Sequence, residues 1–536
     1  MSGTPEIEWQ FDVTDFDPIQ AWLNTQAQRY GLTLQAQGTA GQVDVYFDTA
    51  DWRFHRASTA LRVRRRGAAA EATLKTFGLV AGGARHRHEI SEVIRAPARA
   101  TAAVVASRLS ALPGPVGERI RAVAHDLPLA RLFEARVERR VLLATSADAD
   151  FCEIAFDAVQ VIGDPKRAPL VLLRLEVEAK TPDVSGLESF VAALRDECGL
   201  APANASKFEL GLKMGGLHPG YAPYLGAPAT EAELVALVGP AASIGLLAYT
   251  VMRERFGQFI ANEPGARMGD DVEFVHDMRV ATRRLRAAMG LFEPFLPHRA
   301  LALREELRWI AGALGAVRDL DVQIEHLTHA MPAPEGQPVQ ALAYHGILNM
   351  LRDQRSAARQ LMLGELNSGR YARLVGGFEE LLRAGPHKAA ATARPARKVL
   401  PDLILERYRK VRKAGDELGE DSPPSSYHAL RIRVKRLRYA LEFSHPVFGA
   451  AVDVYLPNVL ALQDILGGYQ DAEVAIAHMR ALSISNEAFI SPQMVFALGE
   501  MSQQRAQQAE SLRAQFPDAW SRITGKEWKR MRAGLA

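Results

Sequence analysis

From Glu6 to about Lys180, apolar and polar residues alternate with period two, the mark of strands whose two faces meet different surroundings. Glu6, Glu8 and Gln10 share one face of the first strand, with Ile7, Trp9 and Phe11 opposite. Arg62, Arg64 and Arg66 alternate with Leu61 and Val63, Glu153 and Asp157 with Ile154 and Phe156, and Arg174, Glu176 and Glu178 with Leu173, Leu175 and Val177. Lys75 adds one inward-capable ammonium on a further strand. For a single strand, exposure to water explains such a polar face. Charge in bulk on several strands predicts instead a sheet curled into a closed or nearly closed barrel with a charged lumen, its apolar outside covered by helices at Ile19 to Tyr30 and Gly186 to Cys198. Near Arg136 to Arg140, alternation with Val137, Val141 and Leu143 places Arg136 and Arg140 inward, and His86 and His88 flank Arg87 on an expected strand edge.

Met214 to Thr230 is rich in Gly and Pro and has no period, which marks a boundary. Thr230 with Glu233 then reads as a capping box, and helical periodicity follows to the C-terminus, broken again at Met331 to Pro338 and Asp421 to Ser426. The stretch Val275 to His326 recurs without a gap as Tyr427 to His478, an offset of 152 (275 to 427), the signature of a duplicated unit. At 100° per residue Met278, Thr282, Leu285, Met289 and Phe292 form one apolar stripe, and His276, Arg279, Arg283 and Arg286 fall together away from it. The second copy repeats the division, with Leu430, Val434, Leu437 and Leu441 on the stripe and His428, Arg431, Lys435 and Arg438 on the charged face. A charge row on one helix is ordinarily a solvated face; two rows in the same register with almost no interleaved acid point to a bound anion. Each row runs roughly 15 Å, which suits a long polyanion. Arg318 belongs to the same basic set, while Asp319 and Asp471 are expected to orient arginines or cap a turn, since a carboxylate repels phosphate.

The chain of 536 residues, 48% hydrophobic, is too long for one core, so two or three domains are expected: 1–214, a linker 215–232, and a helical region 233–536 made of repeat one (233–330), a helical insertion (331–395) and repeat two (396–536). The formal net charge of +3 means that any basic surface arises by segregation. Two cysteines, Cys152 and Cys198, make no disulfide framework, MSGTPEIEW has no apolar signal segment, and no apolar run of about 18 residues occurs. Reduced thiols, a cytoplasmic location and no membrane partner are expected.

Carboxylates and guanidiniums in one confined lumen call for a partner offering both signs, which a divalent cation with a phosphate chain supplies: carboxylate oxygens hold Mg²⁺ or Mn²⁺, and Arg forks hold phosphate oxygens. The cationic helices lack interleaved aromatics and any groove-reading motif, which argues against nucleic acid.

The row H-x-x-R-x-x-x-[RK]-R-x-R, found at His276 to Arg286 and His428 to Arg438, resembles the CHAD family, helical domains associated with inorganic polyphosphate. The resemblance runs from about Glu233 to the end and implies two pseudo-symmetric four-helix bundles with basic helices on a shared groove, His276, Arg279, Arg283, Arg286, Arg318, His428, Arg431, Lys435 and Arg438 binding polyphosphate, and a possible association with polyphosphate granules. Residues 5 to 214 look like the CYTH domain of triphosphate tunnel metalloenzymes, on Glu6-Ile-Glu8, Tyr46-Phe-Asp-Thr, Leu61-Arg62-Val-Arg64, Thr73-Leu-Lys75, Arg87-His-Glu89, Glu153 to Asp157, Leu175 to Glu178 and Ser206-Lys207. This likeness implies an antiparallel tunnel, Glu6, Glu8, Asp157, Glu176 and Glu178 on the metal side, Glu6 and Glu8 as catalytic groups, and Arg62, Arg64, Lys75, Arg87 and Lys207 on the phosphates, with Arg136 and Arg140 joining them by alternation. The family's opening signature is E-x-E-x-K, and here Gln10 stands in place of the Lys. The combination resembles bacterial inorganic triphosphatases, an α+β multi-domain protein with a β tunnel followed by an all-α duplicated domain; the alternative is a weak or inactive tunnel on a polyphosphate-binding module.

Overall fold

Residues 4–95, 100–146, 149–163, 166, 168–181, 184–219, 236–239, 241–330, 338–419, 421–484 and 491–535 are described by the structure, a computed structural model. The expected capping box at Thr230 and Glu233, most of the linker and the break at 331–337 lie outside the described residues. The chain divides into two units, Met1–Tyr221 with Pro264–Asp271, and Ala222–Glu263 with Val272–Ala536.

Ten strands form one antiparallel sheet in the first unit: β1 (Thr4–Val13), β2 (Thr33–Thr49), β3 (Thr59–Arg66), β4 (Ala69–Thr76), β5 (Leu79–Ala81), β6 (Ala84–Val93), β7 (Leu129–Ser146), β8 (Ala149–Ile162), β9 (Leu170–Ala179) and β10 (Ala201–Pro202). Eight of them run in the order β1-β9-β8-β7-β2-β3-β4-β6, and β6 pairs back onto β1, so the sheet closes into a barrel. β6 is therefore the closing strand, paired with β1 and β4, and His86 and His88 do not lie on an edge.

Closure sends each face of the alternating pattern to one side. Trp9, Phe11, Ile154, Phe156, Leu175 and Val177 point outward and are covered by α1 (Asp17–Gln26) and α5 (Ser185–Glu197) through Ile19, Trp22, Leu23, Leu187, Phe190 and Leu194. Leu61, Val63, Ala72 and Leu74 pack outward against Phe54 of α2 (Arg53–Arg56), Val105 and Leu109 of α3 (Ala102–Ser110), and Val116 and Ile120 of α4 (Pro115–Ala124). Each fully buried side chain of this size contributes about 1.5–3 kcal/mol. A third cluster lies inside the barrel. α6 (Lys207–Gly215) starts with a capping box in which Ser206 and Glu209 satisfy each other's backbone N–H, and it brings Phe208 and Leu212 against Tyr46, Ala60, Phe133, Val137, Val159 and Val161. A Cβ at Gly211 would stand 2.0 Å from the Phe133 ring, so the helix approaches this closely only because that residue is glycine.

The second unit is helical: α7 (Ile244–Met268), α8 (Val272–Leu291), α9 (Arg299–Ala330), α10 (Pro338–Leu366), α11 (Gly369–Ala384), α12 (Ala396–Asp416), α13 (Pro424–Phe448), α14 (Ala450–Asp453), α15 (Leu456–Ile484), α16 (Pro492–Ile523) and α17 (Lys526–Gly534). α8 starts 152 residues before α13, and α10 starts 154 before α16 (338 to 492). The segment expected as an insertion thus holds helices with counterparts in the second copy. The apolar stripe is buried as the periodicity requires: Met278, Thr282, Leu285, Phe292, Leu430, Val434, Leu437 and Leu441 are all fully buried.

Candidate functional site

The barrel encloses a cavity of about 1100 Å³. Its wall carries eight carboxylates (Glu6, Glu8, Glu71, Glu89, Glu153, Glu176, Glu178, Glu209) and nine permanent cations (Arg62, Arg64, Arg66, Lys75, Arg85, Arg87, Arg139, Lys180, Lys207), so outside the apolar end the lumen is densely charged and nearly neutral in sum. The charges are paired. Lys75 Nζ lies 2.6 Å from Glu6, 3.6 Å from Glu8 and 3.6 Å from Glu89. Arg87 meets Glu8 at 2.7 Å. Lys207 bridges Asp157 at 2.5 Å and Glu176 at 3.0 Å, and Arg139 bridges the same two carboxylates. Burial raises the carboxyl of Glu176, but Lys207 and Arg139 outweigh it and hold the group well below the usual range. Burial pushes Glu6 up to about 7, against the pull of Lys75.

Glu6, Glu8, Arg62, Arg64, Lys75, Arg87, Glu176, Glu178 and Lys207 are brought together on this wall. Asp157 sits behind it, fully buried and engaged by Arg139 and Lys207, where it orients cations. Arg136 and Arg140 correct the expected register. Arg136 is 60% exposed and paired with Glu134, and Arg140 lies over the ring of Phe156, which belongs to the outer cluster; Arg139 points inward in their stead. The alternation misled because Val137 lies on the inner face with Phe133 and Ala135, where α6 makes that part of the lumen apolar, so an apolar residue does not mark the outside there.

Asp44, missed in the sequence, is fully buried and takes both nitrogens of the Arg64 fork at 2.8 Å, with Arg62 3.7 Å away. The signal was present: Gln42, Asp44 and Tyr46 alternate with Val43, Val45 and Phe47.

Glu8 stands opposite Glu178 on β9, and Glu178 opposite Glu153 on β8, so three carboxylates lie side by side across three strands. Like charges so placed repel unless a cation sits among them; Lys180 fills that role, 2.7 Å from Glu178 and 3.3 Å from Glu153. Among the described residues no three acidic, His or Cys side chains converge as a metal site. The oxygen donors themselves fit a hard divalent cation, which would take over from Lys180 and Lys75 as their partner.

In the second unit α8 and α13 bring the two cationic rows together. Arg279 meets Asp319 at 3.4 Å and Arg431 meets Asp471 at 3.5 Å, the same pair in both copies, so the two aspartates orient arginines as expected. Arg283 Nε donates to the Tyr439 hydroxyl at 2.7 Å, across the copies. Burial, Arg431 and Arg283 together lower Lys435 to about 7, which places Arg279, Arg283, Arg431 and Lys435 in one cluster with Asp471 as the acid nearby. His428 bonds Gln470 at 2.8 Å, and His276 is half-buried on α8. Arg318 is paired with Glu273 at 3.2 Å, and Arg438 with Glu442 at 2.5 Å. Arg286 keeps different company, among Arg304, Arg308 and Arg436.

The family description "CYTH domain" matches residues 5–209, and "CHAD domain" matches residues 250–480. Among solved structures the chain is similar to PptA from Streptomyces chartreusis (22% identity, TM-score 0.43, 52% of this chain and 100% of that one) and to the CHAD domain from the plant Ricinus communis (24%, 0.41, 59% and 97%). It is also similar to the putative adenylyl cyclase HpAC1 from Hippeastrum, described as having a dominant triphosphatase activity (18%, 0.27, 40% and 97%). None of the curated proteins matches the chain.

Proposed function

Because the chain belongs to the CYTH and CHAD families in succession, we propose that the barrel hydrolyses inorganic triphosphate with the help of Mg²⁺ or Mn²⁺ and that the helical unit binds inorganic polyphosphate. The observation that carries the first half is the lumen wall, where carboxylates and guanidiniums alternate within one cavity. A phosphate chain takes Arg62, Arg64, Lys75, Arg87, Arg139 and Lys207 as its partners, and Asp44 and Asp157 hold four of these in place (Arg62, Arg64, Arg139, Lys207) from behind. Glu6, Glu8 and Glu178, with Glu153 beside them, are the residues to hold the divalent ion, which when bound supplies charge neutralisation and a more acidic water. The cations then face the equatorial oxygens, where negative charge is spread in the transition state, and the barrel wall keeps bulk water from the phosphoryl group. Phosphate release from tripolyphosphate by the full chain tests this: release that requires Mg²⁺ or Mn²⁺ and disappears in Glu6→Gln supports it, and release that survives both EDTA and Glu6→Gln excludes the lumen as its source.

A second reading, a polyphosphate-binding or granule-associated module with a silent tunnel, is favoured by one observation: Gln10 replaces the signature Lys and its amide binds Glu176 at 3.0 Å. Either way the four-cation cluster is the polyphosphate site, and the variant Arg279→Glu, Arg283→Glu, Arg431→Glu, Lys435→Glu is expected to lose long-chain polyphosphate while remaining folded.

A further inference from the structure

The two copies differ where charge is concerned. In copy two Arg438 is held by Glu442, four residues on, and the same carboxylate takes Arg284 at 3.3 Å. The residue 152 positions before Glu442 is Gly290, so Arg286, the counterpart of Arg438, meets no carboxylate at that step. Another guanidinium comes into the space instead: a Cβ at Gly290 would lie 2.8 Å from Arg304 Nη2. The counterparts of Arg304 and Arg308 in copy two are Leu456 and Leu460, so this concentration of charge belongs to copy one alone.

The result is a cluster from three helices, Arg286 on α8, Arg304 and Arg308 on α9, and Arg436 on α13. Nε of Arg286 is buried and has no hydrogen-bond partner. Burial, Arg407, Arg304 and Arg433 all push Arg436 down from its usual range, as burial, Arg308 and Arg304 do for Arg286. The acids at hand sit on exposed pairs, Glu293 meeting Arg304 at 2.9 Å and Glu305 meeting Arg308 at 3.8 Å, and Glu305 offsets only part of the downward push on Arg286.

We propose that Arg286, Arg304, Arg308 and Arg436 form a second phosphate-chain site, present in one copy only, that extends the path of a long polyphosphate beyond the cluster around Lys435. The proposal rests on the polyphosphate reading of the helical unit. Arg283 and Arg286 lie one turn apart on α8, about 4.5 Å of rise, so one chain can leave the first cluster and enter the second. Guanidinium forks match tetrahedral phosphate oxygens, and a group of them drawn from three helices, with Arg304 filling the space beside Gly290 one turn from Arg286, suits a condensed phosphate, whose charges follow one another directly, better than a nucleic acid, whose phosphates are separated by sugars.

The test titrates the full chain with long-chain sodium polyphosphate over a range of salt concentrations. Gly290→Glu restores in copy one the acid that copy two has, and Arg304→Gln with Arg308→Gln removes two of the four charges by another route should the glutamate disturb α8. Each variant is expected to bind more weakly, with a log–log salt slope shallower by about 0.7 for the one added carboxylate and by about 1.4 for the two removed guanidiniums, at about 0.7 per contact for a single-strand-like polyanion, and with an unchanged thermal melt. A wild-type slope in both variants overturns the second site. If Arg279→Glu with Arg431→Glu abolishes binding while Gly290→Glu changes nothing, only the second site fails; if the wild type does not bind polyphosphate, the parent reading fails. Equal loss of single-stranded DNA and polyphosphate in the variants overturns the phosphate-chain assignment in favour of a nucleic-acid face.

Discussion

Gln10 and Glu176 face each other across β1 and β9, and the amide Nε2 donates to the carboxylate at 3.0 Å. That carboxylate oxygen also takes the Lys207 ammonium at 3.0 Å, so a cation already stands next to the place where the signature would put one. The natural protein is expected to release phosphate slowly, and Gln10→Lys to raise kcat on tripolyphosphate by up to about 10²- to 10³-fold, the usual worth of one preorganised electrostatic group. Glu6→Gln and Glu176→Gln are expected to abolish release. If Gln10→Lys is inert while calorimetry still shows Mn²⁺ and tripolyphosphate binding, the silent-tunnel reading replaces the enzyme.

Arg139 and Arg136 separate the two possible registers of β7. Arg139→Ala removes the cation that touches Asp157 and Glu176 and is expected to cost at least about 10²-fold in kcat. Arg136→Ala removes an exposed partner of Glu134 and is expected to leave turnover unchanged. Steady-state kinetics on the two variants decides it, and the opposite ranking would mean that the functional register is the shifted one.

Asp44 holds two arginines from a position with no access to water. Burial alone would raise its carboxyl, but Arg62 and Arg64 outweigh it and hold the group at about 2. Because this lies below the value near 3.8 of an unfolded chain, the contribution to stability is present above about pH 4 and is lost as the pH falls toward 2. Asp44→Asn leaves buried guanidiniums without their counter-charge and is expected to cost about 3 kcal/mol, read as a drop in Tm near neutral pH that shrinks on acidification.

Lys435 supplies a pH dependence of opposite origin. Burial and the neighbouring Arg431, Arg283 and Arg279 lower it to about 7, with Asp471 pulling the other way. A bound polyanion favours the charged amine, so above pH 7 binding takes up a proton and affinity should fall as the pH rises from 7 toward 10. The unliganded protein should gain stability over the same window, since there the unfolded chain binds the proton that the folded one does not. Lys435→Met is expected to flatten both profiles; isothermal titration in buffers of different ionisation enthalpy counts the proton directly.

Much of this was legible in the sequence because strand and helix periods assign faces without reference to neighbours. Glu6, Glu8 and Lys75 reached the lumen, and Met278 and Leu437 the core, on period alone. The failures arise where a face meets two environments. Val137 is apolar and points inward because Phe208 and Leu212 line that end of the barrel, and no property of β7 itself reports the arrival of α6. Arg286 was placed on the right face of α8, but which cations surround it depends on α9 and α13. Asp44 was readable and overlooked, since two acids on a strand of 17 residues look like an ordinary solvated face until the strand is known to be curled.

The balance of charge in the lumen separates the two proposed anion sites in practice. A ligand entering the barrel exchanges short internal ion pairs for new ones, so few counterions are set free, whereas a polyanion on α8 and α13 meets Arg279 and Arg431, whose pairs with Asp319 and Asp471 are longer, at 3.4 and 3.5 Å, and more open to solvent. Moderate salt should therefore elute polyphosphate from the helical unit while the barrel stays loaded, and a column of immobilised polyphosphate would recover the protein with its tunnel ligand still in place.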